Sequence, residues 1–541
     1  MFYKYGIDFG TTNSSIAIRF LGDDDAEHTL VVDVKDTLPR ETLPSVVLIN
    51  ADGVFVGEDA ANRYTQHIST SNNQKFIKRI KLDLENRGSD LTYDLAGKKY
   101  QGVDLIAAIL KELRLKAEKT VKDLDIEISG VVMGIPVQYG DIQKNVLKEA
   151  LVRAGYYKDR KEADRRTEFV SEPIAVAVHY GLNLTQDKTI MVFDFGGGTL
   201  DLAIVNLRQQ VGNDKLHPHQ TIAKERITLG GEELTRLFFI NGICKKYGIR
   251  TIANKFGFDP KQSPEVLWTE LSACEDGVRF IDAIERCKCD LSKASKHKFS
   301  FIGNNIQLEE KIFFREDFNE AISDKLTEID DLVQKCLDDG NIDDPYDIDQ
   351  VILAGGSSLI PAVQQLLVDT FGVTRVSAKL DDKDAVIKNL KRNRAVESEV
   401  LTSIVRGLAA VGCREKELIE DVVDNDYGVW DSVEDDFIPI INSGIPVKDT
   451  ALDRLSEQGI YQEVKCVDED VSSVEVLVYQ RNLNGTQKLG TINIPNPGSK
   501  SYRIYMSIDP KTGSLVVTIF DSVQRRWFDE IPLDERTYTL K

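Results

Sequence analysis

The apolar positions of this chain fall into continuous runs, and the clearest of them ends in a glycine turn. Residues 190–193 read Ile-Met-Val-Phe, which predicts a strand buried on both faces. Asp194 interrupts this run, three glycines follow shortly after it, and the alternation in residues 200–205 predicts a second strand. We expect a β-hairpin here, with Thr199 and Asp201 on one face of the outgoing strand.

The turn of this hairpin has the composition of a phosphate site. Gly196, Gly197 and Gly198 carry no β-carbon, so their backbone can approach a ligand closely. Successive N–H groups in such a turn form a concavity that binds anions. The carboxylate of Asp194 is costly to bury unless a cation or hydrogen-bond donors satisfy it. These residues indicate a phosphate and its metal, although a plain structural hairpin is the simpler alternative for this stretch alone.

The same pattern occurs near the N-terminus. Residues 6–18 read Gly-Ile-Asp-Phe-Gly-Thr-Thr-Asn-Ser-Ser-Ile-Ala-Ile, and aligning Asp8 with Asp194 superposes Asp-Phe-Gly on Asp-Phe-Gly. The separation of the two motifs is far too long for a solenoid repeat. We therefore predict two similar halves that present two phosphate-binding hairpins to one cleft.

Strands and amphipathic helices fill the rest of the first 415 residues. Residues 103–122 have helical apolar spacing, and residues 128–139 predict a strand that ends at Pro136. A Glu-Pro pair at Glu172 begins a further helix. Residues 350–361 predict a buried strand, a glycine turn and a helix N-terminus, which together form a natural anion contact.

The pattern changes at about residue 428. Short β-rich runs with turn signals follow, and in residues 474–478 valines alternate with other residues, as in a sandwich strand with one exposed face. We predict a first domain over 1–415, an acidic linker over 416–427 and an antiparallel β domain over 428–541. No helical pattern follows the β runs.

The composition narrows the class of protein. At 541 residues the chain is long enough for more than one domain. Its net charge of −20 argues against nucleic-acid binding, which depends on basic patches. No apolar stretch could span a bilayer and the first residues lead directly into a strand, so we expect a cytoplasmic protein without membrane contact. Seven scattered cysteines favour a reducing compartment, and neither Cys287 with Cys289 nor His217 with His219 fits a metal site well.

With these motifs in this order, the chain resembles the DnaK-like heat shock protein 70 family of chaperones. The resemblance covers nearly the whole chain, and its most specific motifs are Ile-Asp-Phe-Gly-Thr-Thr-Asn-Ser and Phe-Asp-Phe-Gly-Gly-Gly-Thr-Leu-Asp. It implies an α/β actin-like (ribonuclease H-like) two-lobed ATPase domain followed by an antiparallel β-sandwich. It also implies slow hydrolysis of ATP, with ATP or ADP and Mg²⁺ as cofactors and K⁺ as a further candidate.

The resemblance assigns roles to individual residues. The Mg²⁺ carboxylates match Asp8 and Asp194, which hold the ion mostly through water. The catalytic positions, including the lysine beside the γ-phosphate, match Lys78, Glu172, Asp194, Thr199 and Asp201. The nucleotide-binding positions match Gly10, Thr11, Thr12, Asn13, Gly196, Gly197, Gly198, Thr199, Gly230, Gly231, Glu285, Lys288, Ser292, Gly355, Gly356 and Ser357. A proline thought to relay the nucleotide state matches Pro136, and Val474 is the expected peptide-binding residue.

Several positions depart from the family pattern. The two arginines that usually stack on adenine are replaced by Cys289 and Leu359, which removes both guanidinium partners. An arginine used with J-domain partners is replaced by Glu168. The linker Asp421-Val422-Val423-Asp424 has fewer large apolar residues to dock on the ATPase, and the chain stops where a helical lid would begin. We expect fast release of peptides bound by strand addition.

The implied partners are unfolded or extended peptide segments, with J-domain and nucleotide-exchange co-chaperones as further candidates, although Glu168 argues against a J-domain partner. An ATP-sensing regulatory protein with one dedicated partner is the alternative. A sugar kinase of the same fold fits the C-terminal β domain poorly. P-loop chemistry is disfavoured because no Gly-x-x-x-x-Gly-Lys-Ser/Thr motif occurs.

Overall fold

The structure is a computed structural model of the full chain. It describes residues 3–21, 27–34, 41–66, 74–124, 126–137, 139–181, 184, 186–209, 219–304, 306–377, 394–413, 419–431, 434–458, 460–465, 473–482, 485–495, 501–509, 515–523 and 525–527. His217 of the His-Pro-His segment lies outside these residues, as does the first part of the expected linker.

The first part of the chain is built on one six-stranded sheet. The strands are β1 (Tyr3–Phe9), β2 (Asn13–Leu21), β3 (Glu27–Val31), β4 (Leu43–Pro44), β5 (Val47–Asn50), β6 (Gly53–Val56), β7 (Lys75–Ile77), β8 (Thr92–Leu95), β9 (Lys98–Gln101), β10 (Ile128–Ile135) and β11 (Thr167–Ser171). The helices are α1 (Gly57–Gln66), α2 (Ile80–Arg87), α3 (Gly102–Val121), α4 (Asp141–Arg153), α5 (Arg160–Arg166) and α6 (Glu172–Gly181). The sheet has the order β11-β10-β1-β2-β3, and β4 pairs with β2.

The second part is built on another six-stranded sheet. The strands are β12 (Lys188–Phe195), β13 (Leu200–Leu207), β14 (His219–Ile227), β15 (Lys296–Ile302), β16 (Gln307–Phe314), β17 (Gln350–Ala354), β18 (Val376–Ser377) and β19 (Ile419–Glu420). The helices are α7 (Gly231–Leu237), α8 (Cys244–Tyr247), α9 (Ile249–Phe256), α10 (Pro264–Ala273), α11 (Glu275–Lys293), α12 (Arg315–Ala321), α13 (Ser323–Asp339), α14 (Pro361–Phe371) and α15 (Arg394–Gly412). The sheet has the order β18-β17-β12-β13-β14-β19.

The two sheets share one local topology, as the sequence repeat predicts. In the first, β1 pairs antiparallel with β2 and parallel with β10. In the second, β12 pairs antiparallel with β13 and parallel with β17. Helices α6 and α15 pack against both sheets and against each other. They approach closely because Gly407 of α15 lies against the backbone of Ala175, where a β-carbon would be 1.7 Å from the carbonyl oxygen.

The prediction that residues 190–193 are buried on both faces is confirmed. Met191 and Phe193 belong to one apolar cluster of the second sheet, and Ile190 and Val192 belong to another cluster on its opposite face. A continuous apolar run is the pattern that such a strand requires, because successive side chains point to opposite faces.

The C-terminal part consists mainly of antiparallel strands, as predicted. They are β20 (Asp426–Asp431), β21 (Asp436–Ile441), β22 (Gln462–Lys465), β23 (Ser473–Asn482), β24 (Gly485–Pro495), β25 (Ser501–Ile508), β26 (Leu515–Asp521) and β27 (Arg526–Trp527). Two four-stranded sheets, β21-β20-β23-β24 and β22-β25-β26-β27, bury one common apolar cluster. The sequence pattern missed the helix α16 (Leu452–Gln458), which is too short for its apolar spacing to stand out.

The segment before the C-terminal sheets docks on the second sheet largely through polar contacts. Strand β19 pairs in parallel with the start of β14. Lys224 of β14 is buried and forms ion pairs with Asp421, at 3.0 Å, and with Asp424, and it donates a hydrogen bond to the Val422 carbonyl at 3.1 Å. Ion pairs of Lys224 with Asp421 and Asp424 therefore hold this segment against β14, in addition to the strand pairing of β19.

Among the helices described, none combines the length and apolar character that crossing a bilayer requires.

Candidate active site

The two small-residue turns meet face to face. A β-carbon on Gly197 would lie 2.0 Å from Oγ1 of Thr12, and one on Gly198 would lie 2.8 Å from Oγ1 of Thr11. Only residues without side chains allow this approach. Gly10 is equally constrained, since its β-carbon would lie 2.1 Å from the carbonyl oxygen of Asn13. The structure therefore brings together the two turns that the repeat predicts at one cleft.

Four buried carboxylates lie beneath these turns. Asp8 is near the end of β1, Asp194 near the end of β12 and Asp201 at the start of β13, directly opposite Asp194 in the pairing. Glu172 is the first residue of α6. We call Asp8, Glu172, Asp194 and Asp201 the carboxylate cluster.

Burial and repulsion between carboxylates raise the pKa values of the three aspartates in this cluster. Burial, and then the charge of Glu172, raise the pKa of Asp8 to about 7. The same causes hold the pKa of Asp194 well above its ordinary value. Burial also raises the pKa of Asp201 to about 6, although Arg226 and a hydrogen bond from Thr199 act in the opposite direction. A cluster of this kind favours the binding of a cation.

Two buried cations face the cluster. Lys81, in the first turn of α2, donates to Glu172 Oε1 at 2.5 Å. Arg226 of β14 lies 3.4 Å from Asp201 and pairs with Glu85 of α2 at 2.5 Å. The sequence analysis did not select either residue, because no motif marks them.

The side chain of Lys78 forms its ion pair outside the carboxylate cluster. Its ammonium pairs with Asp282 of α11, across from the first sheet. The neighbouring Arg79 pairs with Glu232 of α7 at 2.8 Å. Lys78 and Lys81 lie in one stretch of the sequence rich in basic residues, and which of the two lysines enters the cluster depends on where β7 ends and α2 begins.

The carboxylate cluster fits a divalent cation. Oδ1 of Asp8 and Oδ2 of Asp201 are buried and have no hydrogen-bond partner among the described residues. Within the described part of the chain, no group of three or more His, Cys, Asp or Glu side chains is arranged so that it could hold a metal ion by itself. Mg²⁺ commonly binds through one or two carboxylates, substrate phosphates and retained waters. Asp8 and Asp194 are thus suited to hold Mg²⁺ together with a phosphate ligand.

A second group of predicted residues surrounds the Gly196 turn. The Gly196 carbonyl oxygen accepts hydrogen bonds from Gly231 N at 3.1 Å and from Ser357 Oγ at 2.8 Å. A β-carbon on Gly230 would lie 2.3 Å from the Gly197 carbonyl. Gly355 has φ +72°, and its β-carbon would lie 2.7 Å from Asp194 Oδ1. These glycines and Ser357 form one continuous surface with the phosphate turns.

Lys288 anchors the helix α11 to this surface. Its ammonium donates to the Gly231 carbonyl oxygen at 2.6 Å and to Thr235 Oγ1 at 3.0 Å. It also pairs with Glu285 at 2.7 Å. Ser292 Oγ donates to the Lys288 carbonyl oxygen at 3.1 Å, one turn further along α11.

The two positions that the resemblance assigns to adenine stacking are occupied by cysteine and leucine. Cys289 Sγ lies 3.6 Å from Glu285 Oε1. Leu359 ends the short turn Gly356–Leu359 that begins at the last predicted glycine, and α14 follows it. Neither position offers a guanidinium plane.

The segment after Pro136 connects the carboxylate cluster to the C-terminal part. Pro136 is buried, and Val137 N donates to Asp201 Oδ1 at 2.9 Å. Four residues further on, Asp141 Oδ2 accepts a hydrogen bond from Leu515 N of β26 at 3.2 Å. Val137 thus contacts a buried carboxylate of the cluster, and Asp141 contacts the C-terminal sheets.

Two predicted residues lie away from these contacts. Val474 is in β23, where it pairs with Ile494 of β24. Glu168 of β11 forms an ion pair with Lys4 of β1. The acidic residue is therefore paired within the first sheet.

Two halves of common topology bring two small-residue turns over a carboxylate cluster, and the donor groups of this arrangement suit a phosphate and a metal ion. A family model described as Hsp70 protein matches residues 4–411 of this chain. The chain belongs to the Hsp70 family.

Named relatives agree with this assignment. The chaperone protein DnaK of Ureaplasma urealyticum serovar 10 is 30% identical over 375 residues, which are 68% of this chain and 54% of the relative. Two proteins of the same name from strains of Ureaplasma parvum serovar 3 are 29% identical over the same coverage. The chain spans about half the length of the curated relatives it matches.

Proposed function

We propose that this chain is an ATP-dependent chaperone of the Hsp70 type, which binds and slowly hydrolyses ATP in an actin-like domain. The meeting of the two turns over the carboxylate cluster carries this proposal, because the backbone and hydroxyl groups of both turns could bind a phosphate next to carboxylates that could hold a metal. The family membership and the relatives named chaperone protein DnaK support it.

The proposed chemistry divides among the residues of the cleft. Residues 10–13 and 196–199 bind the phosphates, with N–H groups and hydroxyls directed at the anion. Asp8 and Asp194 hold Mg²⁺, which neutralises charge on the phosphate oxygens when it is bound. Glu172 and Asp201 orient the attacking water and accept its proton, and the raised pKa of Asp201 suits this role. Lys78 remains a candidate for stabilising the charge of the transferred phosphoryl group.

The other nucleotide contacts are assigned to the surface around α7 and α11. Glu285, Lys288 and Ser292 are the proposed contacts for the nucleoside, together with the glycines and Ser357 near β17. With Cys289 and Leu359 in place of arginines, adenine loses cation–π stacking. We therefore propose weaker discrimination between ATP and GTP than two stacked arginines would give.

The proposed organisation couples this cleft to the C-terminal sheets. It consists of a nucleotide-binding domain over 1–415, a linker over 416–427 and a β-sandwich over 428–541 that binds extended peptides by strand addition, with Val474 in its site. Pro136 links the nucleotide to that domain through its neighbour Val137, which contacts Asp201. The proposed setting is the cytoplasm, with nucleotide-exchange and J-domain co-chaperones as candidate partners. The alternative, an ATP-sensing regulator with one partner, gains no support from the three relatives named above, each of which is called chaperone protein DnaK.

The test is calorimetric titration of the full chain with ATP, ADP and GTP in the presence of Mg²⁺, followed by single-turnover hydrolysis. We expect Mg²⁺-dependent binding of ATP and ADP, and slow release of phosphate from ATP. Failure of all three nucleotides to bind would refute the proposed function. Binding without hydrolysis would favour the ATP-sensing alternative.

A further inference from the structure

A cavity of about 300 Å³ lies on the first sheet, at the opposite end of its strands from the carboxylate cluster. It is bordered by the first residues of β1 and β10, the second half of α3, the loop after α4 and the end of α5. Its lining includes Tyr5, Arg114, Glu118, Ile128, Tyr156 and Arg166, and we call it the tyrosine cavity. None of its described lining residues is assigned to the nucleotide or its metal. The volume is at the lower end of the range for sites that bind small molecules.

The hydroxyl of Tyr5 is an unsatisfied polar group of the tyrosine cavity. Tyr5 is 5% exposed, and its hydroxyl forms no hydrogen bond with any described residue. Tyr156, in contrast, donates to the Leu110 carbonyl oxygen at 3.1 Å. Tyr157 donates to the Arg166 carbonyl oxygen at 2.8 Å. A buried hydroxyl without a partner costs free energy, so a ligand that supplies a partner to Tyr5 gains affinity.

The Tyr5 side chain is a neutral phenol near pH 7. Burial, and then the charge of Glu118, raise the pKa of Tyr5 to about 12, and Arg114 acts in the opposite direction. The hydroxyl therefore keeps its proton, and it can both donate and accept a hydrogen bond. The Tyr5 ring meets that of Tyr156 edge to face, with centroids 6.3 Å apart. With the aliphatic side chain of Ile128, these rings give the cavity an apolar wall.

Two guanidinium groups also line the cavity, each with one nitrogen unused. Arg114 Nε donates to the Ala154 carbonyl oxygen at 2.8 Å, and its Nη1 pairs with Glu118. Arg166 Nη1 pairs with Glu162, and its Nε donates to a carbonyl oxygen of β10. In both arginines, Nη2 has no hydrogen-bond acceptor among the described residues. The two ion pairs therefore leave the cavity with free N–H donors but without net charge.

We propose that the tyrosine cavity binds a small neutral aromatic molecule that carries an amide group. The ligand ring packs against the rings of Tyr5 and Tyr156. The amide oxygen accepts a hydrogen bond from a guanidinium Nη2, and the amide nitrogen donates to the Tyr5 hydroxyl or to Glu118. A charged ligand is disfavoured, because each guanidinium already has a carboxylate partner and a further charge would be buried without one.

The test is a ligand-observed NMR titration of the full chain without nucleotide, with benzamide as the probe. Benzoate and benzylammonium are similar in size and carry one negative or one positive charge. We expect saturable binding of benzamide, with an affinity at least about fivefold higher than that of either ion. Absence of saturable benzamide binding, or equal or tighter binding of either ion, would overturn the proposal.

Tyr5→Phe removes the unpartnered hydroxyl and keeps the ring. Benzamide affinity should fall by about fivefold, the loss of one hydrogen bond, while the thermal midpoint without ligand should not fall. Tyr93→Phe is the matched control, because Tyr93 is 7% exposed and donates to Asp83 Oδ2 at 2.6 Å, outside the cavity. This variant should lower the midpoint and leave benzamide affinity within about twofold of the wild type. Equal benzamide affinities of Tyr5→Phe and the wild type would overturn the proposed site.

Arg114→Met tests the charge argument. It leaves Glu118 without its partner, and the change is tolerated because the Glu118 side chain is 50% exposed. Benzamide affinity should fall by at least about fivefold, and benzylammonium should bind this variant more tightly than benzamide does. An unchanged order of affinities would overturn the assignment of a neutral ligand. None of these measurements uses ATP, so a failure of the proposed function would leave the test of the tyrosine cavity intact.

Discussion

Thr12 Oγ1 occupies the space that a β-carbon on Gly197 would need, 2.0 Å from its position. Gly197→Ala must therefore push the two turns apart, and the groups proposed to surround one phosphate lose their spacing. We expect the ATP affinity measured by calorimetry to fall by at least about tenfold, which corresponds to about 1.4 kcal/mol.

The double variant Thr12→Ala with Gly197→Ala controls for this clash. Without the hydroxyl, the nearest atom of residue 12 is Cβ, 3.3 Å from the new β-carbon. The double-mutant cycle should show a favourable coupling energy between the two substitutions. Strictly additive losses would mean that the turns do not meet as described.

Asp194→Asn keeps the shape of the side chain and removes its charge from the carboxylate cluster. We expect single-turnover hydrolysis to slow by at least about 100-fold, because the phosphate loses a preorganised metal site. Asp521→Asn is the matched control: Asp521 is fully buried in β26 and accepts a hydrogen bond from Val523 N at 2.9 Å. Hydrolysis at the wild-type rate by Asp194→Asn would exclude Asp194 from the catalytic centre.

Lys78 can be tested through its ion-pair partner. If its ammonium reaches the phosphate during hydrolysis, Lys78→Ala should lower turnover by at least about tenfold. Asp282→Asn removes the same ion pair but keeps the ammonium, so it should not lower turnover. Equal effects of the two substitutions would show that Lys78 acts through its pair with α11 and not on the phosphate.

Lys224→Met should release the docked segment that contains Asp421 and Asp424. Removing one partner of a buried ion pair leaves uncompensated charge and costs about 3 to 5 kcal/mol. We expect limited proteolysis between residues 419 and 426 to become at least about tenfold faster, since cleavage follows the population of the open form.

The control for that experiment is Lys335→Met. Lys335 pairs with Glu225, the neighbour of Lys224 on β14, at 2.8 Å, but its side chain is 51% exposed. Glu225 is 8% exposed, so this variant also leaves a buried charge unpaired, but this pair does not include the docked segment, and proteolysis between residues 419 and 426 should resemble that of the wild type. Equal protection of all three proteins would contradict docking through Lys224.

His219 should make the docked segment sensitive to acid. The residue pairs with Ile419 of β19, and its Nδ1 accepts a hydrogen bond from Arg208 N at 3.1 Å, so the ring is neutral in the native state. Burial lowers the pKa of His219 to about 4, below its ordinary value of 6.5. Its contribution to stability is therefore complete above pH 6.5 and is lost as the pH falls towards 4.

The substitution His219→Asn removes this titration and keeps an acceptor for Arg208 N. Between about pH 7.5 and 5, the wild type should lose about 2 kcal/mol more stability in urea unfolding than this variant. An identical pH dependence of the two proteins would show that His219 is not buried as a neutral ring.

The sequence by itself determined the local elements that carry the site. The apolar run 190–193 predicted a strand buried on both faces, and the Asp-Phe-Gly repeat at Asp8 and Asp194 predicted two similar halves. The β-rich runs after residue 428 likewise predicted antiparallel strands. The alternation of apolar and polar residues is a property of the local sequence, so it can be recognised without the tertiary structure. The sequence pattern did not predict the seven-residue helix α16, because so short a helix has no clear apolar periodicity.

Only the tertiary structure decided which charges meet. Lys78 and Lys81 are three positions apart in one basic stretch, yet one pairs with Asp282 and the other with Glu172. The strand β7 ends at Ile77 and α2 starts at Ile80, so the backbone changes direction between the two lysines and their side chains point to different partners. Glu172 and Lys81 are 91 residues apart, and no local pattern relates two side chains at that separation. For the same reason the linker could be recognised as acidic from its sequence, but the buried lysine that binds it could not.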